Sequence, residues 1–317
     1  MTLYLGIDTS AYTTSLAIVN EGAKLIYENR KILSVPEGER GLAQSAALFQ
    51  HVQNLPQLVA AVPPEYWERV SALGVSTAPR PLQESYMPVF LPGYGVASAI
   101  ASARCIPLVE TSHQEGHLAA GIVSSKLKEP HFLAIHISGG TTELLEVHHV
   151  QPGKLDIQLL GGTTDLHAGQ FVDRVGVRLG LPFPAGKSLE ELARQADPGS
   201  AAWFPSAVRG FEVSFSGVET AAQRLIDQGK NPADVARAVE GCIVRTLGKL
   251  LQAGMEKTTL SEILIVGGVA SNQFIRQELK KRLARHANLH WAEPDWSRDN
   301  AIGAALLALE KVRGCII

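Results

Sequence analysis

The sequence predicts an α/β protein of two lobes with mixed sheets, on three observations. Short apolar runs alternate along the chain with stretches of helical period. Some of these runs are joined by tight polar turns, as antiparallel strands are, while one opens through a glycine pair into a helix start. The chain is 317 residues long, comfortable for two cores rather than one. The expected division is an N-terminal lobe of residues 1–108, completed by roughly 290–317, and a C-terminal lobe of 109–289 carrying the histidine helix and the glycine turns described below.

Composition narrows the class. Hydrophobic residues make up 45% and charged residues 19%, the balance of a globular chain and not of a disordered one. A net charge of −2 advertises no polyanionic partner globally, yet leaves room for a local basic face. Cys105, Cys242 and Cys315 are odd in number and widely spaced, which argues for a reducing compartment and against a disulfide framework. Residues 1–8 lack a basic leader and read as a strand, and no apolar run reaches the about 18 residues of a spanning helix. A cytoplasmic protein without membrane contact is expected.

Residues 3–8 form an apolar strand ending in Asp8-Thr9-Ser10 and residues 15–19 a second, with a hydroxyl-rich hairpin over 9–14 between them. The bend sets an acid and two hydroxyls at a backbone turn where a phosphate or a metal-bound water can be met, which makes Asp8 and Ser10 the candidate catalytic residues; a plain hairpin with an Asx turn accounts for the same pattern. Residues 41–62 carry apolar positions at helical spacing, with His51 expected as a surface or helix-packing histidine. A buried strand follows over 71–77. Pro79, Pro81, Pro88 and Pro92 exclude regular structure from the next loop, and a small-residue helix covers 94–106.

Ser112-His113-Gln114-Glu115-Gly116-His117 places two histidines four apart, on one face of a helix, where two imidazoles can share a divalent metal. Ser112 with Glu115 three residues on is the pattern of a capping box. Residues 132–137 then form a strand that breaks into Ser138-Gly139-Gly140-Thr141-Thr142, a phosphate cradle of bare backbone NH groups flanked by hydroxyls. His136 points away from Ile135 and Ile137, so a ligand role and a core role bonded to a carbonyl both stand open. Asp173, at the head of a helix, is placed either to bond a ribose or amide or to sit in solvent. Residues 211–217 make a strand and turn, and 232–256 a long amphipathic helix. Residues 263–266 run into Gly267-Gly268-Val269-Ala270-Ser271-Asn272, a strand opening at a helix start as nucleotide-approach elements do. Asp299 heads a final small-residue helix, where it is also suited to be an N-cap.

Taken together and in this order along essentially the whole chain, HQEGH, ISGGTTEL, VGGVASN and RDN resemble the tRNA threonylcarbamoyladenosine transferase (TsaD, or glycoprotease) family. The resemblance implies the two-lobed actin-like fold of sugar kinases and heat-shock ATPases. It implies one divalent metal held by His113, His117 and Asp299, and imidazole with carboxylate suits iron or zinc better than magnesium. It implies contacts to ATP, AMP or threonylcarbamoyl-AMP at Ser138, Gly139, Gly140 and Thr141, and at Asp173, Gly186 and Asn272, beside the pair Gly267 and Gly268. Archaeal and eukaryotic relatives carry a metal-reaching tyrosine two residues before Ser-Gly-Gly, so His136 in that place implies a third imidazole ligand. The implied activity moves threonylcarbamoyl from its AMP adduct to an adenosine beside the anticodon. Its substrate would be tRNA, held through arginine and lysine patches with strong salt dependence, and its partners the proteins of a threonylcarbamoylation complex.

The chain departs from the family at several of its own positions. Tyr12 and Thr13 stand where the family pattern ETSCDET has an acidic pair, the long segment 79–95 replaces a Gly-Pro-Gly loop, Glu219 replaces a lysine, and Thr141 a histidine. These departures support an alternative reading, a divergent paralogue acting as a carbamoyl transferase or nucleotide hydrolase on another substrate. A non-catalytic subunit of a tRNA-modification complex is the third reading, and the retained HxxxH pair and Asp299 count against it. The glycoprotease label finds no nucleophile–base arrangement to support it, and HxEGH is not the HExxH of zinc proteases.

Overall fold

The computed structural model describes residues 1–10, 12–35, 42–82 and 84–317. The chain divides into two units, one of residues 1–128, 149–156 and 295–317, the other of 129–148 and 157–294.

The first unit is built on five strands, β1 (Leu3–Ser10), β2 (Thr13–Asn20), β3 (Leu25–Ile32), β4 (Val70–Ala78) and β5 (Leu108–Ser112), in the order β3-β2-β1-β4-β5. The β1–β2 and β2–β3 pairs are antiparallel and the β1–β4 and β4–β5 pairs parallel, so the sheet is mixed as expected. β1 is central, and all eight of its residues are buried. Its alternation sorts them onto two faces. Leu3, Leu5 and Ile7 join Leu55, Leu58, Ala97 and Ala101 from the helices Gln44–Ala60 and Leu91–Arg104. Tyr4 joins Ile302, Ala305 and Leu306 of the helix Ile302–Arg313 on the other face. Gly6 shares that second face: a Cβ there would stand 2.1 Å from the Ala301 carbonyl oxygen. Asp8, two residues further on, inherits the same face.

The hairpin after β1 is tighter than the sequence suggests, because Ser10 pairs directly with Thr13; Ala11 lies outside the described residues. The helix expected over 41–62 is observed as Gln44–Ala60, with Gly41 outside the described residues.

The helix His113–Ser125 belongs to this first unit, which corrects the expected boundary at 108/109. The reason lies in two glycines. A Cβ on Gly303 would come 1.8 Å from the Gly116 carbonyl oxygen, so the histidine helix and the last helix cross at backbone contact. Gly74 of β4 allows the same approach to Ala304, at 1.9 Å. The last helix is thereby laid flat on β1 and β4 with its head beside the histidines.

The second unit carries a seven-stranded sheet of β6 (His131–Ile137), β7 (Thr142–Gln151), β8 (Lys154–Thr163), β9 (Val208–Arg209), β10 (Glu212–Val213), β11 (Glu262–Val266) and β12 (Asn288–Trp291), ordered β12-β11-β6-β7-β8-β10-β9. β6 takes β11 parallel on one edge and β7 antiparallel on the other. Leu133, Ile135 and Ile137 pack with Val239, Ile243, Leu247 and Leu251 of the helix Pro232–Thr258. Among the described residues no helix is long and apolar enough to cross a membrane.

Candidate functional site

The capping box read from the sequence is present: Ser112 accepts from the Glu115 NH, and the Glu115 carboxylate accepts from the Ser112 NH. It fixes the first turn of the histidine helix, and with it the direction of His113. His113 Nε2 and His117 Nε2 face each other at 3.0 Å. Asp299 Oδ1 lies 3.5 Å from the first and 3.3 Å from the second. Donors about 2.1 Å from one tetrahedral ion stand about 3.4 Å apart, so this triangle has the size that a single divalent ion requires. Asp299 is not an N-cap of its helix. Asn300 Oδ1 accepts from the Ile302 NH at 2.8 Å, and that leaves the Asp299 carboxylate to the histidines.

Behind this triangle, Asp8 Oδ2 is 2.9 Å from His113 Nδ1. A carboxylate on the far ring nitrogen keeps the proton at Nδ1 and presents the Nε2 lone pair, the arrangement seen behind metal-binding histidines. Asp8 is itself held by the Ser10 NH, 2.9 Å from Oδ1. Burial alone would lower the His113 pKa, but the Asp8 and Asp299 carboxylates push it up to about 10. Burial would raise both acids, and the imidazolium holds Asp8 and Asp299 below the usual carboxylate range. His117 moves down, through burial and the charge of His113. The cluster is therefore a place built for positive charge, which a proton meets in the metal-free chain and a divalent ion fits by geometry and donor type.

In the second unit the glycine turns come together around the end of β6. The Ser138 NH donates to the Thr141 carbonyl at 2.8 Å, closing the Ser-Gly-Gly-Thr turn. Gly169, in the first turn of the helix Ala168–Arg178, would strike Ser138 and Gly139 backbone if it carried a Cβ. Gly267 has φ +100, a conformation open to glycine, and a Cβ there would lie 2.2 Å from the Ile137 carbonyl oxygen. The outward positions Gly139, Gly140, Gly186 and Gly268 meet nothing within 4 Å. Bare backbone NH groups beside a helix N-terminus suit a phosphate.

The family model for tRNA N6-adenosine threonylcarbamoyltransferase (TsaD) matches residues 88–306. A tRNA N6-adenosine threonylcarbamoyltransferase of Thermus thermophilus is 32% identical over 310 residues, covering 96% of this chain and 91% of the relative. One from Neorickettsia sennetsu is 29% identical over 325 residues, covering 99% and 95%. This chain belongs to the TsaD family. That family is one of acyltransferase enzymes. Solved structures at lower identity share its actin-like fold: HypF of T. kodakarensis (TM-score 0.62, 13% identity, 99% of this chain and 48% of that one) and a ROK family glucokinase from Streptomyces griseus (TM-score 0.55, 14% identity, 96% and 99%).

Against the expectations for a TsaD chain, His113, His117 and Asp299 form one group whose ligand atoms lie within 4.8 Å of one another. His136 is not in that group. It sits on β6 in the second unit, buried, opposite Glu143 of β7. Asp8, the candidate catalytic acid, stands against His113 Nδ1 at 2.9 Å. The Ser10 hydroxyl is buried with no hydrogen-bond partner among the described residues. Asp173 Oδ1 accepts from the Ala185 NH at 2.7 Å, which ties it to the residue before Gly186; burial raises its pKa. Asn272, expected at the ligand, has both ends engaged within the protein. Its Oδ1 caps Ile275 NH at 2.9 Å and its Nδ2 donates to Glu240 Oε1 at 2.6 Å. Tyr12 is 40% exposed and Thr13 is buried within β2, and neither position supplies a carboxylate.

Of the two places expected for His51, surface or helix packing, it takes the second: it is fully buried, with Nδ1 2.8 Å from Thr14 Oγ1. One residue escaped the sequence. Glu240 is buried beneath Asn272 and paired with Arg237 at 2.7 Å; burial pushes it up to about 7. An acid four residues after Ala236 on the inward face of a long helix is the one signal that could have pointed to it.

Proposed function

We propose that this chain transfers a threonylcarbamoyl group from its mixed anhydride with AMP to the exocyclic amine of an adenosine beside a tRNA anticodon. The observation that carries the reading is the meeting of His113 Nε2, His117 Nε2 and Asp299 Oδ1, backed by Asp8, in a member of the TsaD family. These three side chains would hold a divalent metal, iron or zinc before magnesium. Such an ion supplies Lewis acidity toward a phosphate or carbonyl oxygen. Asp8 keeps the His113 proton on Nδ1. The NH groups of Gly139, Gly140 and Gly268, with the head of the helix Ala168–Arg178, would bind phosphate and stabilise AMP as it leaves. In the transfer the amine nitrogen bonds to the carbamoyl carbon, the carbon–oxygen bond to AMP breaks, and the amine loses a proton. The protein would act in the cytoplasm alongside other proteins of a threonylcarbamoylation complex.

The turn at residues 9–14 holds no carboxylate, and this favours, as a second reading, a paralogue that uses the same metal and nucleotide on another acceptor. Complementation of a strain lacking its own transferase separates the two, with the modified adenosine read in tRNA by mass spectrometry. Restored modification supports the transferase; its absence with folded, metal-loaded protein shifts the assignment to the paralogue.

A further inference from the structure

On the helix Pro232–Thr258, Arg245, Gly248 and Lys249 fall on one face, three and four residues apart. Arg282 of the helix Gln273–Leu283 lies across that face. A Cβ at Gly248 would stand 2.7 Å from Arg282 Cδ and 2.8 Å from its Nε. Glycine is a poor residue inside a helix, and here its missing side chain is what lets the Arg282 stem lie down. Arg285 follows three residues later, and Lys249, Arg282 and Arg285 are all exposed. The arginine and lysine ion pairs among the described residues of this unit are Arg178–Asp227, Arg237–Glu240 and Lys281–Glu278. None of them involves the four cations named here. Arg282 and Arg245 are near enough to repel, which adds to burial in lowering the Arg245 pKa.

Arg245 gives its hydrogen bonds to backbone. It donates to the carbonyls of Ala201 and Phe204, which bracket Trp203. The Trp203 side chain is 42% exposed. A chain with a net charge of −2 thus sets Arg282 beside the helix face of Gly248 and Lys249, one turn from the Arg245 that holds a strap displaying an indole, with Arg285 three residues after Arg282. Cations answer phosphates, and a flat exposed aromatic answers an unpaired base; loop RNA offers both at once.

We propose that Lys249, Arg282 and Arg285 hold the phosphate backbone of tRNA while Trp203 stacks on an unpaired base, with Arg245 as the positioning residue that pins the Trp203 strap. This proposal rests on the reading of the chain as a tRNA-modifying enzyme. None of these residues is among those assigned above to metal or nucleotide.

The test is fluorescence anisotropy of labelled tRNA with the full chain over a series of salt concentrations. The variants are the double K249E/R282E, Arg285→Gln, Trp203→Ala and Trp203→Phe. The double variant is expected to bind at least about tenfold more weakly, with a salt slope reduced by about 2. Arg285→Gln, at an exposed position, reduces the slope by about 1 and keeps the measurement valid if the double variant fails to fold. Trp203→Ala weakens binding about tenfold at unchanged slope, and Trp203→Phe restores it. Wild-type binding with all variants equal to it would overturn this surface and leave the transferase reading standing. A wild type that binds no tRNA would overturn the transferase reading and the surface together. Polyglutamate that competes as well as tRNA at equal charge, with Trp203→Ala neutral, would assign the face to an acidic protein and overturn the proposal.

Discussion

Asp8 Oδ2 reaches His113 Nδ1 at 2.9 Å across 105 residues of sequence. The contact joins the end of the central strand to the first turn of the histidine helix. Because the proton is held at Nδ1, the opposite nitrogen is directed at His117 and Asp299.

Removing the charge of Asp8 while keeping its shape isolates this role. Loss of a carboxylate behind a metal-binding histidine costs about 10- to 100-fold in metal affinity. Asp8→Asn is expected to fall in that range, measured by competition with a chelator. Unchanged affinity would remove Asp8 from the site.

The ligand group makes a sharper prediction about which histidines matter. His113→Ala and His117→Ala should each strip the purified protein of stoichiometric metal, read by mass spectrometry of the element. His136→Ala should leave metal content unchanged, because His136 lies outside the group. A loss equal to that of His117→Ala would return His136 to the ligand set.

The same cluster sets a pH dependence in the metal-free chain. The folded-state pKa of His113 is raised from 6.5 to about 10, so its contribution to stability is full below 6.5 and lost as pH rises toward 10. Asp8 and Asp299 are lowered from 3.8, so their contribution is present above that value and lost as pH falls below it. Thermal melts in chelator should therefore show a decline on the alkaline side; on the acid side the lowered His117 pKa opposes the gain from His113 below 6.5. His113→Gln should flatten the alkaline decline, and a wild-type melt indifferent to pH from about 6.5 to 10 would contradict the pairing.

Packing, not chemistry, positions Asp299. Gly303→Ala would press a methyl group against the Gly116 carbonyl, 1.8 Å away, with no flexible side chain to yield. Overpacking of this kind costs about 1–3 kcal/mol or more. Urea denaturation should show a loss of at least that size, accompanied by weaker metal binding as the head of the last helix is pushed off. A variant of full stability with intact metal binding would show that the crossing can open without consequence.

Much of this was legible in one dimension. The apolar run at residues 3–8, the capping box at Ser112 and Glu115, and the four-residue spacing of His113 and His117 are local patterns, and local geometry alone fixes what they form. The glycine turns at 138–141 and 267–268 were visible for the same reason, since a strand that ends in paired glycines can only turn. Glu240 was not legible, and His51 stayed open between surface and packing, because a polar residue on an apolar helix face reads as exposed until its partner is known.

From the order of residues alone come the class of fold, the helix that offers two imidazoles, and the turns that offer bare backbone. Tertiary packing decided the rest: that Asp8 serves His113, that Asp299 faces the histidines while Asn300 takes over the capping, that Asn272 is engaged by Glu240, and that the histidine helix belongs with the first strand. In the first unit, residues far apart in the chain meet through close approaches that Gly74, Gly116 and Gly303 permit. A contact of that kind is a property of surfaces brought together, and no spacing along the chain encodes it.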